Sequence, residues 1–106
     1  MISAIFKTKD GVFCGLTVKG HSGYAEQGSD IVCAAVSSMV NLTVRLLEQN
    51  NEDFTFASSP EKPEIQLKLN TAAPYADQAL RALYCELREL SADYKGFVKA
   101  TKQEIK

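Results

Sequence analysis

The feature that most constrains the fold is a long apolar run after Asp30 that contains neither glycine nor proline. Aspartate and serine are favoured helix N-caps, so Asp30 or Ser29 is expected to begin a helix that ends near Gln49. Its apolar residues lie around much of the circumference: Ile31, Ala34, Ala35, Val36, Met39, Val40, Leu42, Val44, Leu46 and Leu47. Because a surface helix carries a narrower stripe, this helix is predicted to lie centrally or to bury its second face on another subunit.

Two pairs of strands are indicated by apolar alternation and turn residues. Residues 2–7 and 12–19 flank Asp10-Gly11, a pair typical of a tight hairpin turn. The alternation in the second run predicts one apolar face on that strand, made of Val12, Cys14, Leu16 and Val18. Residues 54–56 and 65–69 flank a polar, proline-bearing connection and predict a second hairpin.

A second helix and a last strand complete the predicted chain. The helix begins around Thr71-Ala72-Ala73-Pro74, ends near Asp93 and carries one leucine stripe, typical of a helix that packs on a sheet. Residues 96–101 predict a strand, followed by a tail that frays. The segment order β-β-α-β-β-α-β predicts one α+β domain over residues 1–106, with two helices packed on a mostly antiparallel sheet.

Composition argues against several classes of function. The net charge is −1 with acids and bases interspersed, so direct nucleic-acid binding is not expected. No apolar run is expected to span a membrane, and the first residues do not resemble a signal peptide, so a cytoplasmic protein is expected. Cys14, Cys33 and Cys85 are odd in number and far apart, and there is one histidine. We therefore expect no disulfide framework, no metal site and no cofactor.

Cys33 and the single histidine, His21, are the candidate chemical residues. If Asp30 caps the helix, Cys33 is its third residue, where free backbone N–H groups and the helix dipole favour the nucleophilic thiolate. Ser37 lies one turn further on the same face. The loop 20–29 is long enough to fold His21 over this helix end.

Several of these residues admit a structural role as well. Asp30 is a helix cap that is also able to accept an imidazole N–H, and Ser37 is able to bond its own helix backbone instead of the site. Tyr24 is either part of a peptide pocket or the hydrophobic anchor of the loop. Cys14 and Cys85 are interpreted as packing residues.

Two consecutive motifs carry a resemblance to a known family. Gly-His-Ser-Gly-Tyr-Ala at 20–25, followed by Gly-x-Asp-Ile-Val-Cys-Ala-Ala-Val-Ser at 28–37, resembles the bacterial Prp (YsxB-like) family of ribosomal-processing cysteine proteases. The resemblance implies a homodimeric protease that trims a short N-terminal extension from a large-subunit ribosomal protein.

The resemblance also implies roles for individual residues. His21 and Cys33 match the catalytic pair, and Asp30 and Ser37 match polar positions beside it. Ser22 stands where alanine is the more usual residue. The loop residues expected to meet the substrate are Gly20, Ser22, Gly23, Tyr24 and Gly28.

Two other classes of function stay open at this stage. One is a non-catalytic module that grips a peptide or a ribosome surface with the same loop and helix end. The other is a thiol sensor, which would need Cys14 or Cys85 within disulfide range of Cys33.

Overall fold

The elements follow one another along the chain in the predicted order β-β-α-β-β-α-β, and the α+β class is confirmed. The structure is a computed structural model that describes residues 1–26, 28–59 and 61–105. The strands are β1 (Ile2–Lys9), β2 (Val12–Lys19), β3 (Phe54–Ser59), β4 (Glu64–Leu69) and β5 (Val98–Glu104), and the helices are α1 (Ile31–Gln49) and α2 (Pro74–Asp93).

The strands form one sheet in the order β3-β4-β2-β1-β5. Both predicted hairpins are present, and β2 also pairs antiparallel with β4, whereas β1 pairs parallel with β5. Cross-strand neighbours such as Phe6 and Leu16 place their side chains on one face, in a single core cluster with residues of both helices. Burial of this face on the helices provides the main hydrophobic stabilisation of the fold.

A β-bulge in the first hairpin changes which residues of β2 face the core. The pairing register shifts between Lys7 and Thr8, and Cys14 is the extra residue. Phe13 is therefore buried, whereas Val12 is exposed and the half-buried Cys14 donates its thiol to the Lys7 carbonyl at 3.5 Å. The prediction that Val12 and Cys14 share the core-facing side of β2 was wrong.

Helix α2 buries the predicted stripe, with Leu90 half-buried near its end. The fully buried members are Ala76, Leu80, Leu83 and Leu87. Cys85 is exposed, so its interpretation as a packing residue was wrong. It lies off the stripe by geometry, because residues five apart, such as Leu80 and Cys85, point in different directions on a helix.

The last strand continues to Glu104, past the predicted end at Thr101. The Glu104 carboxylate accepts hydrogen bonds from the Thr8 hydroxyl at 2.8 Å and from the Asp10 backbone N–H at 2.6 Å. These bonds lower the pKa of Glu104 below its ordinary value. They also attach this end of the chain to the first hairpin, and the Ile105 N–H bonds the Thr8 carbonyl at 2.7 Å. Residues 102–104, which were predicted to fray, are therefore part of the last strand.

Helix α1 is not the central buried helix that its composition suggested. One row packs into the core: Val32, Val36, Val40, Thr43 and Leu47. A second side of the helix, next to this row, leaves apolar side chains in solvent, with Ile31 54% exposed, Leu42 61% and Leu46 39%. Contrary to expectation, α1 is also long and apolar enough to cross a membrane, a property that the core helices of soluble proteins share.

Candidate active site

The Asp30 carboxylate holds the beginning of α1. Asp30, rather than Ser29, is the N-cap, and its Oδ1 accepts hydrogen bonds from the backbone N–H groups of Val32 and Cys33, both at 3.0 Å. The Ala34 N–H already bonds the Asp30 carbonyl at 3.1 Å. Cys33 is therefore the third residue of the helix, but its N–H is occupied by the cap.

The second oxygen of the same carboxylate holds the loop. Oδ2 accepts the Ser22 hydroxyl and the backbone N–H groups of Tyr24 at 3.2 Å and Ala25 at 3.4 Å. The Ser22 hydrogen bond, followed by the backbone bonds, lowers the pKa of Asp30 to about 2, although burial opposes the shift. Asp30 is therefore a permanent anion near neutral pH that joins the loop to the helix.

The Cys33 thiol is half-buried, and its side-chain hydrogen bonds within the described residues are to Ser22. Its Sγ accepts the Ser22 backbone N–H at 3.4 Å and lies 3.5 Å from the Ser22 Oγ. Ser22 is 3% exposed, so it lies behind the thiol and not on the surface of the loop. Sequence reasoning placed Ser22 among the substrate-contacting residues and gave no sign of this contact.

His21 follows β2 by two residues and is exposed. The preceding Gly20 has φ +93°, and a Cβ there would lie 2.5 Å from the Met1 carbonyl oxygen, so a side chain does not fit. The Gly20 N–H bonds the Pro63 carbonyl at 2.8 Å, which ties this corner to the β3–β4 connection. In the described part of the chain, no hydrogen bond joins His21 to Cys33.

An open groove of about 640 Å³ brings the two candidate residues together. Cys33, Ser37 and Asp30 line it from the helix, and His21 lines it from the loop. The other lining residues comprise loop glycines, an apolar floor and the β3–β4 hairpin: Gly20, Gly23, Ala25, Gly28, Ile2, Val18, Ala34, Val36, Ser58, Ser59, Pro63, Glu64 and Ile65. Sequence reasoning did not single out the hairpin wall, because its polar residues are typical of any connection.

Tyr24 connects the loop to two aromatic residues between α2 and β5. Its ring packs edge-on against Tyr94 and Phe97, with ring centroids 5.4 and 5.2 Å away. Tyr24 is absent from the described groove lining. This packing fits the anchoring role considered for Tyr24, whereas its contact with substrate stays a prediction.

Comparison with known proteins identifies the family. Residues 1–99 match the family model described as Cysteine protease Prp. The ribosomal processing cysteine protease Prp of Mycoplasma genitalium is 32% identical over 83 residues, which cover 78% of this chain and 82% of that protein. The protein of the same name from Mycoplasma pneumoniae is 31% identical over 87 residues, covering 78% of this chain and 81% of its own length.

A solved structure shares the fold. The essential ribosomal processing protease Prp from S. aureus, in complex with a covalently linked product peptide, superposes with a TM-score of 0.90 at 20% identity. The superposition covers 97% of this chain and 100% of that chain. Since the family model spans nearly the whole sequence, the chain belongs to the Prp family of cysteine proteases.

Proposed function

We propose that the chain is a cytoplasmic endopeptidase that removes a short N-terminal extension from a large-subunit ribosomal protein. Cys33 is the nucleophile and His21 the general base in this proposal. The observation that carries it is that both side chains line one groove at the capped start of α1. The names of the relatives, which describe ribosomal processing, support the substrate class.

The proposed reaction passes through a thioester. His21 accepts the proton of Cys33, Sγ attacks the peptide carbonyl carbon, and His21 returns the proton to the leaving amine nitrogen. Water then gives a proton to His21 and attacks the thioester, which releases the acid product and restores the thiol. Because His21 is exposed on a loop that contains Gly23 and Gly28, its imidazole has room to approach the sulfur.

The negatively charged oxygen of the tetrahedral intermediate needs hydrogen-bond donors. The backbone N–H of Cys33, which lies in the first turn of the helix, is already bonded to Asp30 at 3.0 Å. We therefore place a donor on the loop, where Gly23 lines the groove with φ +72°. The N–H groups of Ser22, Tyr24 and Ala25 are bonded to Cys33 or Asp30, so Gly23 is the loop donor in this proposal.

The test is cleavage of a synthetic peptide that spans the N-terminal extension of a ribosomal protein, followed by mass spectrometry. Cys33→Ala and His21→Ala are each expected to abolish cleavage, because one removes the nucleophile and the other its base. Circular dichroism should show an unchanged fold. Cys85→Ser is the matched control, because Cys85 is an exposed thiol on α2, and it should cleave normally.

Full cleavage by either site variant would contradict the mechanism. The alternative, a non-catalytic binding module, instead predicts that the unaltered protein binds the peptide without cleaving it and that Cys33→Ser binds equally well. The thiol-sensor alternative lacks support, because neither Cys14 nor Cys85 appears in the described lining of the groove.

A further inference from the structure

Ser22 lies at a junction between the candidate nucleophile and a buried carboxylate. Its Oγ donates to Asp30 Oδ2, accepts the Tyr24 N–H at 3.2 Å and lies 3.5 Å from Cys33 Sγ. The side chain is 3% exposed, so water does not compete for these contacts. Whether Cys33 Sγ faces a hydrogen-bond donor or an acceptor at this position therefore depends on the orientation of the Ser22 hydroxyl.

A serine hydroxyl has one proton to donate and two lone pairs that accept. The proton is directed at Asp30, and one lone pair takes the Tyr24 N–H. The remaining lone pair faces Cys33 Sγ. In this arrangement the hydroxyl can only accept from the sulfur, which it does when Cys33 carries its proton.

We propose that Ser22 is a positioning residue that holds Cys33 in its protonated, resting form by accepting the S–H hydrogen bond while Asp30 retains the hydroxyl proton. This inference rests on the proposed function of Cys33. When His21 takes the thiol proton, the Ser22 lone pair faces an anion. Ser22 must then either tolerate that repulsion or rotate its proton from Asp30 to the sulfur.

Both outcomes make the thiolate less favourable than it would be beside an alanine. If the Ser22 hydroxyl rotates, its hydrogen bond to the Asp30 carboxylate is replaced by one to the thiolate, and the hydrogen bond from the thiol to Oγ is lost. If it does not rotate, the repulsion between its lone pair and the thiolate remains. The backbone N–H of Ser22, which donates to Sγ at 3.4 Å and suits a thiolate, does not depend on the side chain. Ser22→Ala therefore removes the hydroxyl that favours the thiol and keeps the backbone N–H that favours the thiolate.

Other charges around the groove do not change the comparison between the parent and Ser22→Ala. The titratable side chains among its described lining residues, besides Cys33, are His21 from the loop, Asp30 at the start of α1 and Glu64 from β4. Asp30, with its pKa of about 2, stays ionised throughout an assay between pH 5 and 10. His21 and Glu64 are present in every variant and act equally on all of them.

The experiment measures the rate of iodoacetamide alkylation of Cys33 against pH. Cys14→Ser and Cys85→Ser are placed in all proteins, so that Cys33 is the thiol whose alkylation is measured. Ser22→Ala should move the midpoint of the profile to lower pH and speed alkylation at pH 7 by about three- to tenfold, as expected for one lost hydrogen bond. Ser22→Thr keeps the hydroxyl and should have the same midpoint as the parent. Ser38→Ala, which removes an exposed serine hydroxyl of α1, should also leave the midpoint unchanged.

An unchanged midpoint in Ser22→Ala would overturn the proposal. A midpoint at higher pH would overturn it as well, since it would mean that the hydroxyl donates to the thiolate. Infrared absorption of the parent protein gives a second measurement that needs no substitution at Ser22. A hydrogen-bonded S–H stretch is expected at neutral pH, and a free S–H band, or none, contradicts the proposal.

Neither measurement depends on proteolysis. If the parent cleaves the precursor peptide and Cys33→Ala does not, the proposed function stands whatever the alkylation profile of Ser22→Ala. Conversely, a shifted profile in a protein that cleaves no peptide would support the Ser22 contact and remove the protease assignment of Cys33.

Discussion

Asp30 joins two parts of the molecule through one carboxylate, with Oδ1 on the helix start and Oδ2 on the loop. Its hydrogen bonds favour the ionised form, so its pKa falls from 3.8 to about 2 on folding. A depressed carboxyl pKa stabilises the fold above the unfolded value and stops doing so as the pH falls through the folded value. The contribution of Asp30 is therefore present above about pH 4 and disappears towards pH 2.

This gives a prediction for Asp30→Asn, which retains an N-cap oxygen but no ionisable group. The parent should melt at higher temperature than the variant at pH 5, and the two melting temperatures should converge between pH 4 and pH 2. Thermal unfolding followed by circular dichroism measures both. Glu104, whose pKa is also lowered, is common to the two proteins. A difference in melting temperature that stays constant across this range would be the contrary result.

Residue types predicted part of this site. An aspartate before an apolar run is a favoured cap, so the position of Cys33 at the third helical residue followed from local rules. The contact between Ser22 and Cys33 did not follow, because it depends on how the loop folds. That in turn depends on Tyr24 packing on Tyr94 and Phe97, a long-range contact with no local signal.

At the scale of elements, α1 ends at Asn50 and Asn51 in a defined capping motif. Asn51 has φ +55°, and its N–H bonds the Glu48 carbonyl at 3.0 Å. The Glu52 N–H bonds the Leu47 carbonyl at 3.0 Å. These are the paired bonds of a Schellman end, which places its turning residue in the left-handed region.

Substitutions at Asn51 should follow from that conformation. Glycine adopts positive φ without strain, whereas alanine pays a penalty of about 1 kcal/mol. Asn51→Ala is therefore expected to unfold with about 1 kcal/mol less free energy than Asn51→Gly in urea denaturation. Equal stability of the two variants would show that Asn51 is not held in the left-handed region in solution.

The first hairpin shows why an alternating pattern predicts that a strand forms more reliably than it predicts which residues of the strand face the core. Residues 12–19 were correctly predicted as a strand, but the bulge at Cys14 reverses the side-chain direction before it. A bulge depends on how two strands pair, and the sequence of one strand does not report it.

At the scale of the whole molecule, the exposed apolar side of α1 is the feature without a partner in the described chain. Ile31, Leu42 and Leu46 are each more than one-third exposed. We propose that a second copy covers this side, because a repeated apolar helix face is self-complementary in a two-fold dimer.

The dimer is tested by light scattering after gel filtration at micromolar concentrations. The parent should have the mass of two chains, and Leu42→Glu should have the mass of one, since it would bury a charge at the interface. Val12→Glu is the matched control, because Val12 is an exposed apolar residue of β2, and it should remain dimeric. A monomeric parent would remove the proposal.

Class and segment order were predictable from the sequence because they depend on local periodicity. The strand order β3-β4-β2-β1-β5 was not, since it depends on which edges meet after the helices have crossed the sheet. The parallel pairing of β1 with β5 lies in this second category.

That parallel pairing has a consequence for how the protein is made. β1 is synthesised before β5, so one of its two sides has no neighbouring strand until β5 is made, and the Ile2 N–H has no bond to the Phe97 carbonyl, which lies 2.9 Å away in the finished fold. Ile2 is also part of the groove floor. A nascent chain that does not yet include β5 therefore has an unfinished sheet next to Cys33. The groove is complete only after β5 has been synthesised and has paired with β1, so cleavage of a substrate peptide cannot begin before that pairing.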